Sequence, residues 1–160
     1  MTQRAVYDAM VFLQWAATPP ESGRQHATVS AITSGRVRLC LSPELFEEVR
    51  DVLTPPELRE RLPALTPDHV GKILAKTLEY ADWFTEVPKR FSLPNHPKDD
   101  HVFNLGIAAK AAYLVTWEER LLHLHQYDPN AAGELRKLAP DLRVLSPKQF
   151  SNVFHPGRIT

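Results

Sequence analysis

Cysteine is all but missing from this chain: Cys40 stands alone, inside the apolar run Val37–Leu41. One thiol cannot form an internal disulfide, so the fold needs no oxidising compartment and a cytoplasmic setting is expected. There a lone Cys usually packs as a small apolar side chain. Glycine is sparse as well, six in 160 residues, and none builds a Gly-rich loop of the kind that cradles phosphates. No apolar run approaches the roughly 20 residues of a membrane span. The start, MTQRAVYDAMVFLQW, has no basic segment followed by a long apolar core, so no secretory signal is expected. Excess charge is absent too, since 19 Lys+Arg balance 19 Asp+Glu. That balance argues against a protein that coats nucleic acid through bulk positive charge, and leaves room for a local basic rim around an acidic centre. Ser42, Ser146 and Cys40 have no partners that would make a nucleophilic triad.

What the chain does have is proline, 14 of them, mostly at the ends of helical patterns. The pattern predicts a first strand over residues 3–8, then a helix carrying Val11, Phe12 and Trp15 and stopped by Pro19-Pro20. A helix over about 24–33 ends at Gly35, and residues 36–41 read as a second strand. Ser42-Pro43-Glu44 is a strong helix start, with Leu45, Phe46, Val49, Val52 and Leu53 on its apolar side. A short helix over 57–62 follows, and then Thr66-Pro67-Asp68 opens a long one reaching about Phe84. Residues 89–93 read as a short extended segment. A loop at 94–97 precedes a helix opened by Lys98-Asp99-Asp100, with Val102, Phe103, Leu105 and Ile107 as candidate core. Strands at 113–116 and 142–145 alternate with helices at 118–125, from about 129 to Pro140, and from Ser146 to about Phe154. Strands separated by helices predict an α/β protein, a three-layer α/β/α fold with a central, mostly parallel sheet. At 160 residues one domain is expected.

Acidic residues fall where strands give way to helices: Asp8, Glu48, Asp99, Asp100 and Glu118. In such folds the strand C-termini share one edge, and active sites lie along it. Two unit charges ~5 Å apart repel by roughly 3 kcal/mol at an effective dielectric of about 20. Several ionised carboxylates in one place therefore need protonation, basic partners or a metal. Oxygen-only ligands suit Mg²⁺ or Mn²⁺ rather than Zn²⁺. Each position also has a plainer reading. Asp99 and Asp100 suit a helix start, Glu48 suits a solvated helix face, and Trp117 suits simple packing. Asp8 is harder to explain away, because it ends an apolar strand and precedes an apolar helix. His123 and His125 would diverge on a continuous helix and do not form the usual i, i+4 metal pair.

Four segments, in this order, carry a resemblance: VYDAMVFLQ, LCLSPELFEEVRDVL, LPNHPKDDHVFNLGIAAKAAYLVTWEERLL and LRVLSPKQF. Together they span nearly the whole chain, and the chain resembles PIN-domain nucleases, especially the VapC-like branch of toxins from toxin–antitoxin pairs. The resemblance implies a single PIN-like domain over residues 1–160 that hydrolyses RNA phosphodiesters with Mg²⁺ or Mn²⁺. Asp8, Glu48, Asp100 and Glu118 match the family's acidic positions and so imply both the catalytic and the metal-binding set. Of the two adjacent acids, Asp100 fits better by its distance to Thr116. Thr116 and Asp99 are implied in support, and Lys98, Arg120 and Trp117 as substrate contacts, with Arg24 and Lys89 as further basic candidates. RNA, a cognate antitoxin protein and a second copy of the chain are the implied partners, and no membrane. Departures from the family pattern are visible. Met10 replaces a polar residue beside Asp8, His96 replaces an acid in the loop, Glu118 stands where Asp is usual, and Arg120 replaces a second Asp. They imply an alternative, a catalytically weakened or inactive PIN-fold module that binds RNA or protein.

Overall fold

Gln3–Tyr7 (β1) is the strand around which everything else is arranged. Ala5, Val6 and Tyr7 are completely buried, as expected of a parallel strand covered on both faces. Beside it run Val37–Leu41 (β2) and Tyr113–Val115 (β4), and outside these Ala81–Trp83 (β3) and Arg143–Leu145 (β5). The computed structural model describes residues 2–19, 22 and 26–154. All four strand pairings are parallel, in the order β3-β2-β1-β4-β5. Helices cover the sheet in a three-layer α/β/α fold, as the alternation of patterns predicts. The sequence candidate Arg24 lies outside the described residues, as does the start of its predicted helix.

The two faces of β1 meet different helices. Tyr7 and Tyr113 meet Phe150 of Pro147–Phe154 (α10) edge-to-face, with ring centroids 5.7 Å apart in both pairs. Trp15, on Ala9–Ala17 (α1), meets Tyr7 edge-on at 6.1 Å. The polar tips of these rings are satisfied on Ala27–Thr33 (α2): Tyr7 Oη donates to Thr28 O at 2.8 Å, and Trp15 Nε1 donates to Thr28 Oγ1 at 2.8 Å. Val6, on the opposite face, lies against Gly106 of Asp100–Ala109 (α6). Val102, Phe103, Leu105 and Ile107 of that helix are all buried, as predicted.

The capping signals of the sequence work as read. Ser42 Oγ accepts from Leu45 N at the start of Pro43–Leu53 (α3), and Thr66 Oγ1 from His69 N at the start of Pro67–Tyr80. Gly35, at φ 78°, ends the turn after α2. Cys40 is buried, and burial pushes its thiol up to about 12, so it stays a neutral, inert side chain.

Three local expectations are corrected. The long helix does not reach Phe84: it ends at Tyr80, and Ala81–Trp83 pairs with β2 as an edge strand. Neither Gly nor Pro marks that change. Tertiary partners impose it, with Arg38 and Arg4 on Asp82 and Phe84 N donating to Leu41 O at 2.8 Å. Residues 89–93 form no strand. A buried side chain replaces the missing ladder: Asn104 Oδ1 accepts from Arg90 N and Phe91 N, and its Nδ2 donates to Phe91 O, all at 2.9 Å. The helix predicted over 118–125 breaks at His123 (φ −117°, ψ 41°) into Glu119–Leu122 (α7) and Leu124–Tyr127. The rings of His123 and His125 consequently stand 6.3 Å apart rather than on opposite sides of one helix.

The Asn104 brace gives a stability prediction. Asn104→Ala strands two buried backbone groups of Phe91 and the more exposed N–H of Arg90, at about 1–3 kcal/mol for each that finds no water, so about 2–4 kcal/mol is expected. At roughly 2–4 °C per kcal/mol for a chain of this size, Tm falls by about 5–15 °C in a calorimetric scan. An unchanged Tm would mean that the 86–93 segment is held by something else.

Candidate functional site

The strand order creates a crevice. From β1 the chain moves outward to β2 and β3, then returns to the other side of β1 to lay down β4 and β5. The C-terminal ends of β1 and β4 therefore diverge into helices on either side of a topological switch point, where open α/β sheets bind ligands. Asp8 follows β1, and Thr116, Trp117 and Glu118 follow β4.

Asp8 is locked in that crevice. Its backbone N–H donates to Val115 O at 2.9 Å, extending the β1–β4 ladder by one residue. Its Oδ1 accepts from Ala9 N at 2.8 Å, capping α1, and its Oδ2 accepts from Thr116 Oγ1 at 2.9 Å. Thr116 is fully buried, and its hydroxyl oxygen also accepts from Glu118 N at 3.0 Å. One threonine thus links the two strands' acidic residues. Burial raises the Asp8 pKa above the ordinary carboxylate range, with a contribution from the Glu48 charge, against the lowering effect of both hydrogen bonds and of His101.

The adjacent acids Asp99 and Asp100 have different surroundings. Asp99 ends the 3₁₀ turn Pro97–Asp99. Burial raises its pKa, and so do the charges of Asp8, Glu118 and Glu48, while His96 lowers it. Asp99 therefore lies within electrostatic reach of the acids on β1, β4 and α3. Asp100 is engaged elsewhere: its Oδ1 accepts from Leu93 N at 2.7 Å and anchors the preceding loop. Glu48, in the second turn of α3, forms an ion pair with His101 of α6. Burial pulls the His101 pKa down, but the hydrogen bond and charge of Glu48, with Glu44 and Asp8 behind it, outweigh burial and leave it raised. Of the three remedies for crowded carboxylates, Glu48 has a basic partner. Asp8 and Asp99 carry the remaining repulsion.

The substrate candidates lie around this centre. Lys98 is exposed in the 3₁₀ turn between His96 and Asp99. The Arg120 guanidinium rests on His96, with Nη1 3.0 and 3.2 Å from the two ring nitrogens, and makes no ion pair with Glu118. Lys89 lines a cleft of about 460 Å³, which Arg90, Asp100 and His101 also border. Trp117 is 47% exposed. Two further contributors come from the acidic loop: Asp99, implied in support by the sequence, is the acid coupled to the others, and His101, which follows the Asp pair, shares the charge of Glu48.

A family model, the PIN domain, matches residues 4–120, about three quarters of the chain. The chain belongs to the PIN domain family. The matched stretch runs from β1 to α7 and includes every acid of the crevice. No curated protein and no solved structure matches the chain. Beyond residue 120, this PIN domain adds β5, which pairs with β4 in the same sheet.

The donor chemistry of the crevice fits a hard divalent cation: carboxylates only, two of them with raised pKa values. Among the described residues, no three His, Cys, Asp or Glu side chains already converge on one point. The acids are gathered at one edge rather than closed into a cage. No helix among the described residues is long and apolar enough to cross a membrane.

Proposed function

We propose that this PIN domain is a metal-dependent endoribonuclease acting as one unit over residues 1–160, the toxin of a toxin–antitoxin pair. Membership of the PIN family suggests a nuclease-type function. The observation that carries the reading further is the electrostatic coupling of Asp99 to Asp8, Glu48 and Glu118, and of Asp8 to Glu48, at the switch-point crevice.

Asp8, Asp99 and Glu118 would hold Mg²⁺ or Mn²⁺, with Glu48 completing the set. When bound, such an ion supplies a Lewis acid that activates water and stabilises the leaving oxygen of an in-line displacement. The rest is done by the chain. The Thr116 hydroxyl donates to Asp8 Oδ2 and, with Ala9 N on Oδ1, fixes the orientation of the carboxylate. Asp100 holds the 93–99 loop, and through it Asp99, in place. Lys98 and Arg120 bind flanking phosphates, which positions a strand without reading its sequence. An antitoxin protein and a second copy of the chain are the proposed partners.

The alternative, a PIN module that binds without cutting, rests on Met10, Glu118 and Arg120 in place of the usual polar and acidic residues. Arg120 is turned to His96 and makes no ion pair with Glu118, which favours the enzyme. A thermal shift separates the two. Mn²⁺ at about a hundredfold excess over its Kd adds roughly 2.7 kcal/mol, worth about 5–10 °C in Tm for this length. The same preparation is expected to cut single-stranded RNA, and EDTA to stop it. No shift and no cleavage would remove the enzyme reading; a shift without cleavage would leave the binding module.

A further inference from the structure

A second cavity shares no wall residue with the 460 Å³ cleft. It holds about 250 Å³, and its walls include Gln14 of α1, Thr28 of α2, Trp117, and Lys148, Ser151 and Asn152 of α10. This volume is below the ~300–1,000 Å³ of sites for drug-sized ligands. It suits one planar ring system with part of a sugar.

Three features of the walls point to a nucleobase. Trp117 is large, apolar and 47% exposed, and it makes no ring contact with another aromatic side chain among the described residues. An indole held in that way offers a stacking face that any base can use. Gln14 Oε1 is shielded from solvent with no hydrogen-bond partner among the described residues. Its amide carries both donors and an acceptor, as the edge of a base requires. Lys148 brings a positive charge suited to a phosphate. The cavity's position supports the same occupant. Trp117 sits between Thr116, which holds Asp8, and Glu118, so a base lodged there belongs to a nucleotide close to the acidic crevice.

We infer that this cavity takes one unpaired nucleobase of a single-stranded nucleic acid, stacked on Trp117 with its edge against Gln14, and so selects the nucleotide beside the cut. The inference rests on the nuclease reading for its meaning, but the pocket can be tested without cleavage.

The test is binding in EDTA. Short fluorescein-labelled single strands, RNA and DNA, are titrated into the full chain and followed by anisotropy. Each is also made with a single abasic position, walked along the strand. Removing the stacked base should weaken binding by about tenfold at one position. Trp117→Ala should cost the same tenfold, and the abasic strand should then show no further loss. Trp117→Phe should keep most of the affinity, and Gln14→Ala should flatten preference among the four bases. Tm of the two Trp117 variants is expected to stay near the parent's, because Trp117 is half exposed.

Undiminished binding by Trp117→Ala, or an abasic penalty that persists in it, overturns the pocket. So does a parent that binds no strand at millimolar concentration, which would point to a protein occupant. If the coupling is found but Mn²⁺ never supports cleavage, the pocket stands and the nuclease reading fails. If the parent cuts and Trp117→Ala binds normally, the reverse holds. Equal affinity for RNA and DNA keeps the pocket and overturns RNA as its particular substrate.

Discussion

Asp8→Asn is expected to reduce Mn²⁺-dependent RNA cleavage by at least about 10³-fold, the scale of several kcal/mol of lost transition-state stabilisation. The fold should survive. Asn is as good an N-cap as Asp, so the bond from Ala9 N is kept, and the amide can still pair with Thr116. Stability gives an independent readout. Burial raises the Asp8 pKa in the folded chain, so the folded state holds its proton more tightly than the unfolded one. The metal-free parent therefore loses stability as pH rises from the ordinary carboxylate range through that raised value. Asp99, raised by burial and by its acidic neighbours, works in the same direction. Asp8→Asn removes the contribution of Asp8 to this dependence, and saturating Mn²⁺ offsets it in the parent. A variant that cuts like the parent, or a parent that cuts in excess EDTA, would end the proposed mechanism.

The adjacent acids give the second large effect, with opposite outcomes at neighbouring positions. Asp99→Asn should lower cleavage by roughly 10²-fold or more and weaken the Mn²⁺ thermal shift. It should not destabilise the metal-free chain, because it removes a charge repelled by three others. Asp100→Asn keeps an oxygen for Leu93 N and should retain most of the activity. Asp100→Ala leaves that buried donor without its acceptor, costs about 1–3 kcal/mol and should lower Tm by about 2–10 °C. If Asp100→Asn abolishes cleavage while Asp99→Asn does not, the position implied by sequence spacing is the ligand, and the electrostatic coupling misleads.

That pair illustrates what could be read from the sequence and what could not. The alternation of strands and helices, the caps at Ser42 and Thr66 and the buried run Val102–Ile107 follow from local chemistry, and the fold observes them. That acids at strand ends share one edge is a matter of topology, since every strand of a parallel sheet ends on the same edge. Which of two consecutive acids turns inward depends on one 3₁₀ turn, and no residue pattern settles that. The edge strand Ala81–Trp83 was illegible for a related reason. Its residues continue a helical pattern without a breaker, and only Arg38 and the free edge of β2 convert them to a strand. Asn104 was the opposite case. A polar residue between Phe103 and Leu105 on a buried helix, 3% exposed, signals a partner, but the sequence does not say that the partner is the backbone of residues 90 and 91.

The bond between Asp8 and Thr116 spans 108 positions. On a ribosome moving at about 5–20 residues per second, roughly 5–20 s separate the appearance of its two ends. Under the proposed mechanism, the returning strand that brings Thr116 is therefore the event that completes the Asp8 site, and anything captured by the first three strands meets a chain whose acidic crevice is not yet assembled.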